Sequence, residues 1–428
     1  MRRSRSTAPR ACDAAYDHDT LRIACLFAVT ALATCTPAVR APTPDAAQDA
    51  AQDVAAEVPP ECAAMATQTL GQIPVDFYRW DGAGAARQAF DWPLDSRCGQ
   101  LRASAEWLRV EGDGAARTLV VDPASLASGL HRAELELITD DAGAAVVARV
   151  GVRLRVLRAP RAGAARRVLV VGYDGARPDA VQAARTPVLD FLLERAAFTF
   201  DAHTQLAGPT VSAPGWMSTF TGVDPSRHRV VANGEYGARV AEHRTFVARA
   251  IDAGRSAVVS TSWEEVTTSI VERDLVIERQ YGLDPFAARW LAGRLRASDA
   301  QLFFQHLNDP DAAGHSTGFS AANPAYIRAI ESCDANLGVL VDGVLSRPTI
   351  ADEDWLFVLT TDHGGSGTAH GPLDDDNRRI WFVAAGASLA REPLGEGVSH
   401  MDVAPTVLRW LGVTIEPSWA LQGVPRVR

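Results

Sequence analysis

A chain of 428 residues is long enough for two domains, and a hydrophobic content of 47% supplies a core for each. The formal net charge of −10, with no basic stripe, argues against a nucleic-acid duplex as partner. All 42 basic residues are arginine, which excludes lysine Schiff-base chemistry and a lysine phosphate clamp.

Behind an arginine-rich start, residues 21–35 form an apolar run, too short for a membrane span and the right size for a signal-peptide core. Leu32-Ala33-Thr34-Cys35 resembles a bacterial lipobox, so residues 1–35 read as a leader with Cys35 the lipidated terminus. The expectation is export to the periplasm or cell surface, with the lipid anchor as the sole membrane contact. Thr34 is unusual before such a cysteine, and ordinary cleavage nearby is the alternative. Residues 36–67 read as a tether, low in complexity around Ala46–Asp53. Of the six cysteines, Cys62 and Cys98 become a disulfide candidate on export, whereas Cys333 sits in a helical pattern as an apolar filler. No CxxC spacing suggests a thiolate metal site.

From 68 to 158 the apolar residues alternate with charged ones. Ala133, Leu135 and Leu137 interleave with Glu134 and Glu136, and Val150, Val152, Leu154 and Val156 with Gly151, Arg153 and Arg155. This period of two predicts a small β-sandwich. Trp107–Val110, Leu119–Pro123 and Gly129–His131 resemble the BACON-type immunoglobulin-like module. That resemblance implies carbohydrate contact, and a plain spacer is the alternative. Residues 159–163, Ala-Pro-Arg-Ala-Gly, read as a linker.

Residues 164–428 switch to continuous apolar runs, as expected of strands covered on both faces: Val168–Val171, Ala257–Val259, Leu302–Phe304, Trp355–Leu359 and Ile380–Val383. Helical patterns such as Asn323–Leu345 lie between them. The alternation predicts an α/β domain with a mostly parallel sheet flanked by helices. Open sheets of this kind place ligands at the carboxyl ends of their strands, and chemistry-bearing residues collect there. One run ends at Asp174, another leads into Asp309-Pro310-Asp311-Ala312-Ala313-Gly314-His315, and a third ends at Asp362-His363 with His370 soon after. Between them, Val211-Ser212-Ala213-Pro214 predicts a helix start, with Ser212 as cap, Pro214 in the first turn and Gly222 as the stop.

Taken together these residues resemble the alkaline phosphatase superfamily, nearest its nucleotide pyrophosphatase/phosphodiesterase branch, over residues 166–415. The resemblance matches Asp174 to the acid after the first strand, and Ser212 to the nucleophile before a proline. Asp311 and His315 match a PDxxGH block, Asp362 and His363 a DHG block, and His370 an HG block. It implies two zinc ions, one on Asp311, His315 and His370, the other on Asp174, Asp362, His363 and the Ser212 oxygen. Two divalent cations would balance three carboxylates and one alkoxide. The implied activity is phosphoric ester hydrolysis through a serine phospho-enzyme, on a small phosphoester such as a nucleotide.

Thr210 is a rival nucleophile, but the proline register favours Ser212; the same register favours Asp311 over Asp309. His228, His306 and His400 read as structural or surface residues. Substrate contacts are expected from Gly215, Trp216 and Arg177, with helix packing the alternative for Trp216 and a surface role the alternative for Arg177. The resemblance to the diesterase branch implies an Asn three residues after the nucleophile, where this chain has Gly215, and that departure leaves monoester against diester open. A sulfatase needs Arg at the position of Trp216, and a non-catalytic surface lipoprotein is the reading from a different class.

Overall fold

Two sheets of different size organise the described residues of the computed structural model, which are 75–91, 100–112, 116–138, 146–204, 207–236 and 242–427. The expected leader, the Cys35 anchor, the tether and the Cys62–Cys98 pair lie outside them. Residues 55–428 form one compact unit.

The first layer pair uses the period-two segment. Strands β1 (Val75–Trp80), β3 (Gln100–Ala103), β6 (Gly129–Ile138) and β7 (Val146–Leu157) form a sheet in the order β1-β7-β6-β3. Strands β2 (Ala86–Asp91), β4 (Leu108–Glu111) and β5 (Ala116–Val121) form a second, in the order β2-β5-β4. Their facing side chains, Leu108, Leu119 and Val121 from one and Leu135, Val152, Leu154 and Val156 from the other, make one core. Glu136 and Arg102 pair across the outer face at 2.7 Å.

The large sheet has eight strands in the order β11-β10-β12-β8-β13-β14-β9-β15. Its centre is β8 (Ala165–Tyr173), paired in parallel with β12 (Leu302–Leu307) and β13 (Glu353–Thr360). Strand β10 (Ala257–Thr261) extends it on one side, with the short edge strand β11 (Glu278–Tyr281) beyond. These inner strands are buried along their whole apolar length, so helices must cover both faces. One face carries Val171, Leu189, Leu291, Leu340 and Phe357, the other Val170, Trp216, Phe220, Val358 and Leu408. The run at 380–383 lies in β14 (Arg379–Ala385), but antiparallel to both β13 and β9 (Ala196–His203). The reversal follows from connectivity: only 18 residues separate β13 from β14, and no long helix crosses over between them. Strand β9 and the two-residue β15 (Glu392–Pro393) complete that edge.

The amino ends of the central strands are tied by Glu353, whose carboxylate receives Arg167, Arg347, Thr349 and Trp355 donors at 2.7–2.8 Å. Their carboxyl ends open into the site.

Candidate active site

Asp174 is the first residue after β8. Its N–H donates to Leu307 O at 2.9 Å, so the chain leaves the sheet in register with β12. Gly175 then turns away with φ +61, and a Cβ on it would lie 2.8 Å from Asp311 Oδ1. Only glycine accepts both that backbone angle and that approach. Asp311 and His315 stand one turn apart on the helix Asp309–Thr317 that follows β12. Asp362 and His363 follow β13, and His370 returns on the loop behind them. Four segments distant in sequence meet at one rim.

The six carboxylate and imidazole residues form two groups, Asp311–His315–His370 and Asp174–Asp362–His363, whose ligand atoms lie within 4.8 Å of one another in each group. All three histidines are oriented alike. Their Nδ1 atoms face main-chain carbonyls: His315 on Thr368 at 3.0 Å, His370 on Thr210 at 2.9 Å and His363 on Gly364 at 2.7 Å. An Nδ1–H held by a carbonyl leaves Nε2 as a bare lone pair turned into the cleft, the orientation that metal-ligating histidines take. His315 Nε2 and His370 Nε2 stand 3.0 Å apart. Two bare lone pairs at that distance repel unless a positive charge lies between or beside them.

The carboxylates make the same demand. Asp311 Oδ1 and Asp362 Oδ2 are buried without a hydrogen-bond partner. Burial, and then the charge of Asp174, pushes Asp311 up to about 8 and Asp362 well above the ordinary carboxylate range. Asp174 goes the other way: the cost of burial is outweighed by the N–H donors of His306 and Trp216, which hold it at about 2. Burial, then His370, lowers His363 to about 4, so it is neutral and able to ligate. Three converging acids with neutral imidazoles fit divalent cations, and mixed nitrogen and oxygen donors suit zinc among them.

Ser212 is the first residue of the helix Ser212–Thr221. Val211 is the N-cap, so the serine was misplaced as cap: its hydroxyl is not spent on the helix end. Instead Oγ lies 3.2 Å from His363 Nε2 and 3.4 Å from Asp174 Oδ1. Gly222 ends the helix in the left-handed conformation, as read from the sequence. Thr210 is committed elsewhere: its Oγ1 donates to Pro372 O at 2.8 Å and accepts the Gly371 N–H at 3.0 Å, fastening the His370 loop. Asp309 lies outside both ligand groups, its N–H held by Asp284 at 2.9 Å.

The three residues expected to touch substrate are placed otherwise. Trp216 is fully buried, and its Nε1–H donates to Asp174 Oδ2 at 2.8 Å, so its ring has no face for a ligand. Arg177 spends its donors on Gly365 O, Asp179 and Asp376 at 2.6–3.0 Å and anchors the loop after Asp362. Gly215 is a packing glycine: a Cβ there would stand 2.8 Å from Asp362 Cβ, so the helix could not approach. Of the three histidines read as bystanders, all are buried, and His306 donates from Nε2 to Asp174 Oδ2 at 2.9 Å. A carboxamide does reach the start of the Ser212 helix. Asn233, 20 residues on, accepts the Ala213 N–H at 2.9 Å and so stands beside Ser212. No spacing rule connects it to the serine; only the fold does.

A doubly covered, mostly parallel sheet thus carries two acid–histidine groups beside a helix-borne serine. Residues 168–273 and 276–379 match the type I phosphodiesterase/nucleotide pyrophosphatase family. Curated relatives match over shorter stretches. GPI ethanolamine phosphate transferase 1 of Saccharomyces cerevisiae is 35% identical over 92 residues, 21% of this chain and 10% of that protein. The 2,3-bisphosphoglycerate-independent phosphoglycerate mutase of Halobacterium salinarum is 31% identical over 124 residues, 28% of this chain and 22% of that protein. Among solved structures, murine ectonucleotide pyrophosphatase/phosphodiesterase 5, in an inactive form with AMP, is similar at TM-score 0.46 and 14% identity, over 59% of this chain and 96% of that one. Phosphonate monoester hydrolase of Agrobacterium radiobacter is similar at TM-score 0.48 and 14% identity, over 61% and 76%. No helix among the described residues is long and apolar enough to cross a membrane.

Proposed function

We propose that this chain is a two-zinc phosphodiesterase acting through a phosphoserine at Ser212, exported and held at the membrane by Cys35. The observation that supports the chemistry is the shared orientation of His315, His363 and His370, whose Nδ1 atoms all face main-chain carbonyls, beside two unpartnered carboxylate oxygens and with the Ser212 hydroxyl 3.2 Å from His363 Nε2. Asp311, His315 and His370 would hold one cation, and Asp174, Asp362, His363 and Ser212 the other. Two such cations supply Lewis acidity, neutralising phosphoryl oxygens and lowering the pKa of bound hydroxyl and water.

The residues of the chain do the rest. Ser212 Oγ attacks phosphorus, a new O–P bond forms, and the ester alcohol leaves with its electron pair on the side opposite the serine. The seryl proton leaves to solvent, because His363 Nε2 and Asp174 Oδ1, 3.2 and 3.4 Å from Oγ, would be committed to the cation. The Asn233 carboxamide, fixed by Ala213 N–H, offers its N–H to a non-bridging phosphoryl oxygen. Water then attacks the phosphoserine in line and restores the hydroxyl.

A panel of nitrophenyl phosphate mono- and diesters, with and without zinc, measures the activity and its preference. Ser212→Ala is expected to bind two zinc ions and lose turnover by about 10³-fold or more, as removal of an attacking nucleophile does. Intact-mass spectra of quenched wild-type protein should show a phosphoryl adduct that Ser212→Ala lacks. Loss of turnover in Thr210→Ala with Ser212→Ala active would sink the assignment.

A further inference from the structure

Two N–H donors that belong to neither ligand group converge on one oxygen. Asp174 Oδ2 receives His306 Nε2 at 2.9 Å and Trp216 Nε1 at 2.8 Å. A carboxylate oxygen has two lone pairs, and two donors fill it. Oδ1 alone is left facing the cleft, 3.4 Å from Ser212 Oγ and 3.6 Å from His363 Nε2.

Both donors occupy positions that packing alone would fill differently. His306 is fully buried in β12, a strand whose other side chains are apolar except for its neighbour Gln305. Its Nδ1 has no hydrogen-bond partner, so the bond to Asp174 is the one recorded for the ring. Keeping a buried nitrogen unpaired costs about 1–3 kcal/mol, which an apolar residue would avoid. Trp216 lies over Gly172 of β8, where a Cβ would stand 2.1 Å from the indole Cη2. Glycine weakens a buried strand, and here it opens the space through which the indole reaches Asp174. Three elements thus shape one contact: β8 supplies the acid and the gap, β12 the imidazole, and the Ser212 helix the indole.

We infer that His306 and Trp216 are positioning residues that restrict Asp174 to a one-oxygen ligand, and so set cation affinity at the Asp174–Asp362–His363 group without touching the Asp311–His315–His370 group. The inference rests on the two-cation reading above. With Oδ2 occupied, the carboxylate cannot swing to present both oxygens, and Oδ1 is held at the distance the group requires. Partners of this kind govern affinity by roughly 10–100-fold.

The test is equilibrium binding of cobalt(II) to metal-stripped protein in competition with a chelator, followed by the visible absorption of bound cobalt. Wild-type protein should bind in two steps, and His315→Ala, which impairs the other group, identifies which step belongs to Asp174. Trp216→Phe keeps the ring and removes the donor; His306→Leu removes the imidazole donor. Each should weaken the Asp174 step roughly 10–100-fold, leave the other step unchanged and alter the cobalt spectrum as the carboxylate becomes free to chelate. His306→Gln, whose carboxamide N–H can reach the same oxygen, should recover most of the affinity. Folded variants that bind both cobalt ions as wild type does would overturn the inference, as would equal weakening of both steps. A wild-type protein that takes up no cobalt would sink the metal reading itself.

Discussion

Asn233 meets the Ser212 helix where its Oδ1 accepts the Ala213 N–H. The planar carboxamide therefore has its N–H edge fixed relative to Ser212. If that edge steadies a phosphoryl oxygen as charge develops, Asn233→Ala should cost roughly 10²–10³ in kcat, the usual consequence of losing one such donor. Zinc content should not change, since Asn233 is not among the ligand groups. Steady-state turnover of a nitrophenyl diester beside metal analysis checks both halves, and an unaltered kcat would remove Asn233 from the reaction. A second residue is tuned by its partners. Ser218 Oγ donates to Pro214 O and accepts from His228 Nε2, while His228 Nδ1 accepts the Val230 N–H. Both ring nitrogens are thus committed to the neutral tautomer, and burial lowers the group to about 4. Its unfolded value is near 6.5. The unfolded chain binds the proton more readily, so this contribution is present above about 6.5 and is lost as pH falls through about 4. Thermal melts between pH 7 and pH 4 should show the decline, and His228→Gln should flatten it; equal slopes would exclude His228 as the source.

At the scale of elements, the two ends of the central strands have separate tasks. The amino ends hold Glu353, a buried carboxylate with donors on every side. Although burial alone would raise it, the Arg347, Thr349 and Trp355 donors keep it lowered and ionised. Removing one partner of such a cluster strands the others, at a cost of about 3–5 kcal/mol. Glu353→Ala should therefore lower the urea midpoint by that order while folded protein keeps its kcat, because the ligands lie at the opposite ends; a selective fall in kcat would mean that the ends communicate. The same division explains what could be read beforehand. Asp174, Asp311, His315, Asp362, His363 and His370 were legible because polar residues at the end of an apolar run have nowhere to go but the rim. His306 was not, since one imidazole inside Leu302–Leu307 looks like core. Trp216 was misjudged because its direction depends on the gap at Gly172, a contact between elements 44 residues apart. Strand β9 escaped notice because Thr199 and Asp201 break its apolar run, and β14 reversed because strand direction is a property of connections.

For the molecule as a whole, the small sheets are fastened to the large-sheet domain rather than hung beside it. Trp80, buried in β1, stacks on Phe191 with centroids 4.4 Å apart and donates from Nε1 to Phe191 O at 2.6 Å. Arg155 of β7 bridges Asp76 at 2.7 Å and Asp342 Oδ2 at 2.8 Å, joining β1 to the long helix Pro324–Leu345. Trp80→Ala should cost about 3–5 kcal/mol, as large aromatic truncations in cores do, and should split a single calorimetric transition into two. Persistence of one sharp transition at an unchanged midpoint would show that the contact does not couple the layers. The large sheet carries a further consequence, one of time. The bond between Gly175 N and Asp362 Oδ1 spans 187 residues. At the pace of synthesis, about 5–20 residues per second, Asp174 and the bare Val168–Val171 run must wait on the order of 10–40 s for β13 to arrive. Until β12 has been made, a run of four consecutive branched aliphatics has no neighbour to pair with. The nascent protein is most exposed to aggregation before Asp362, His363 and His370 have been made, and whatever shields the run then must let go before the two acid–histidine groups can assemble.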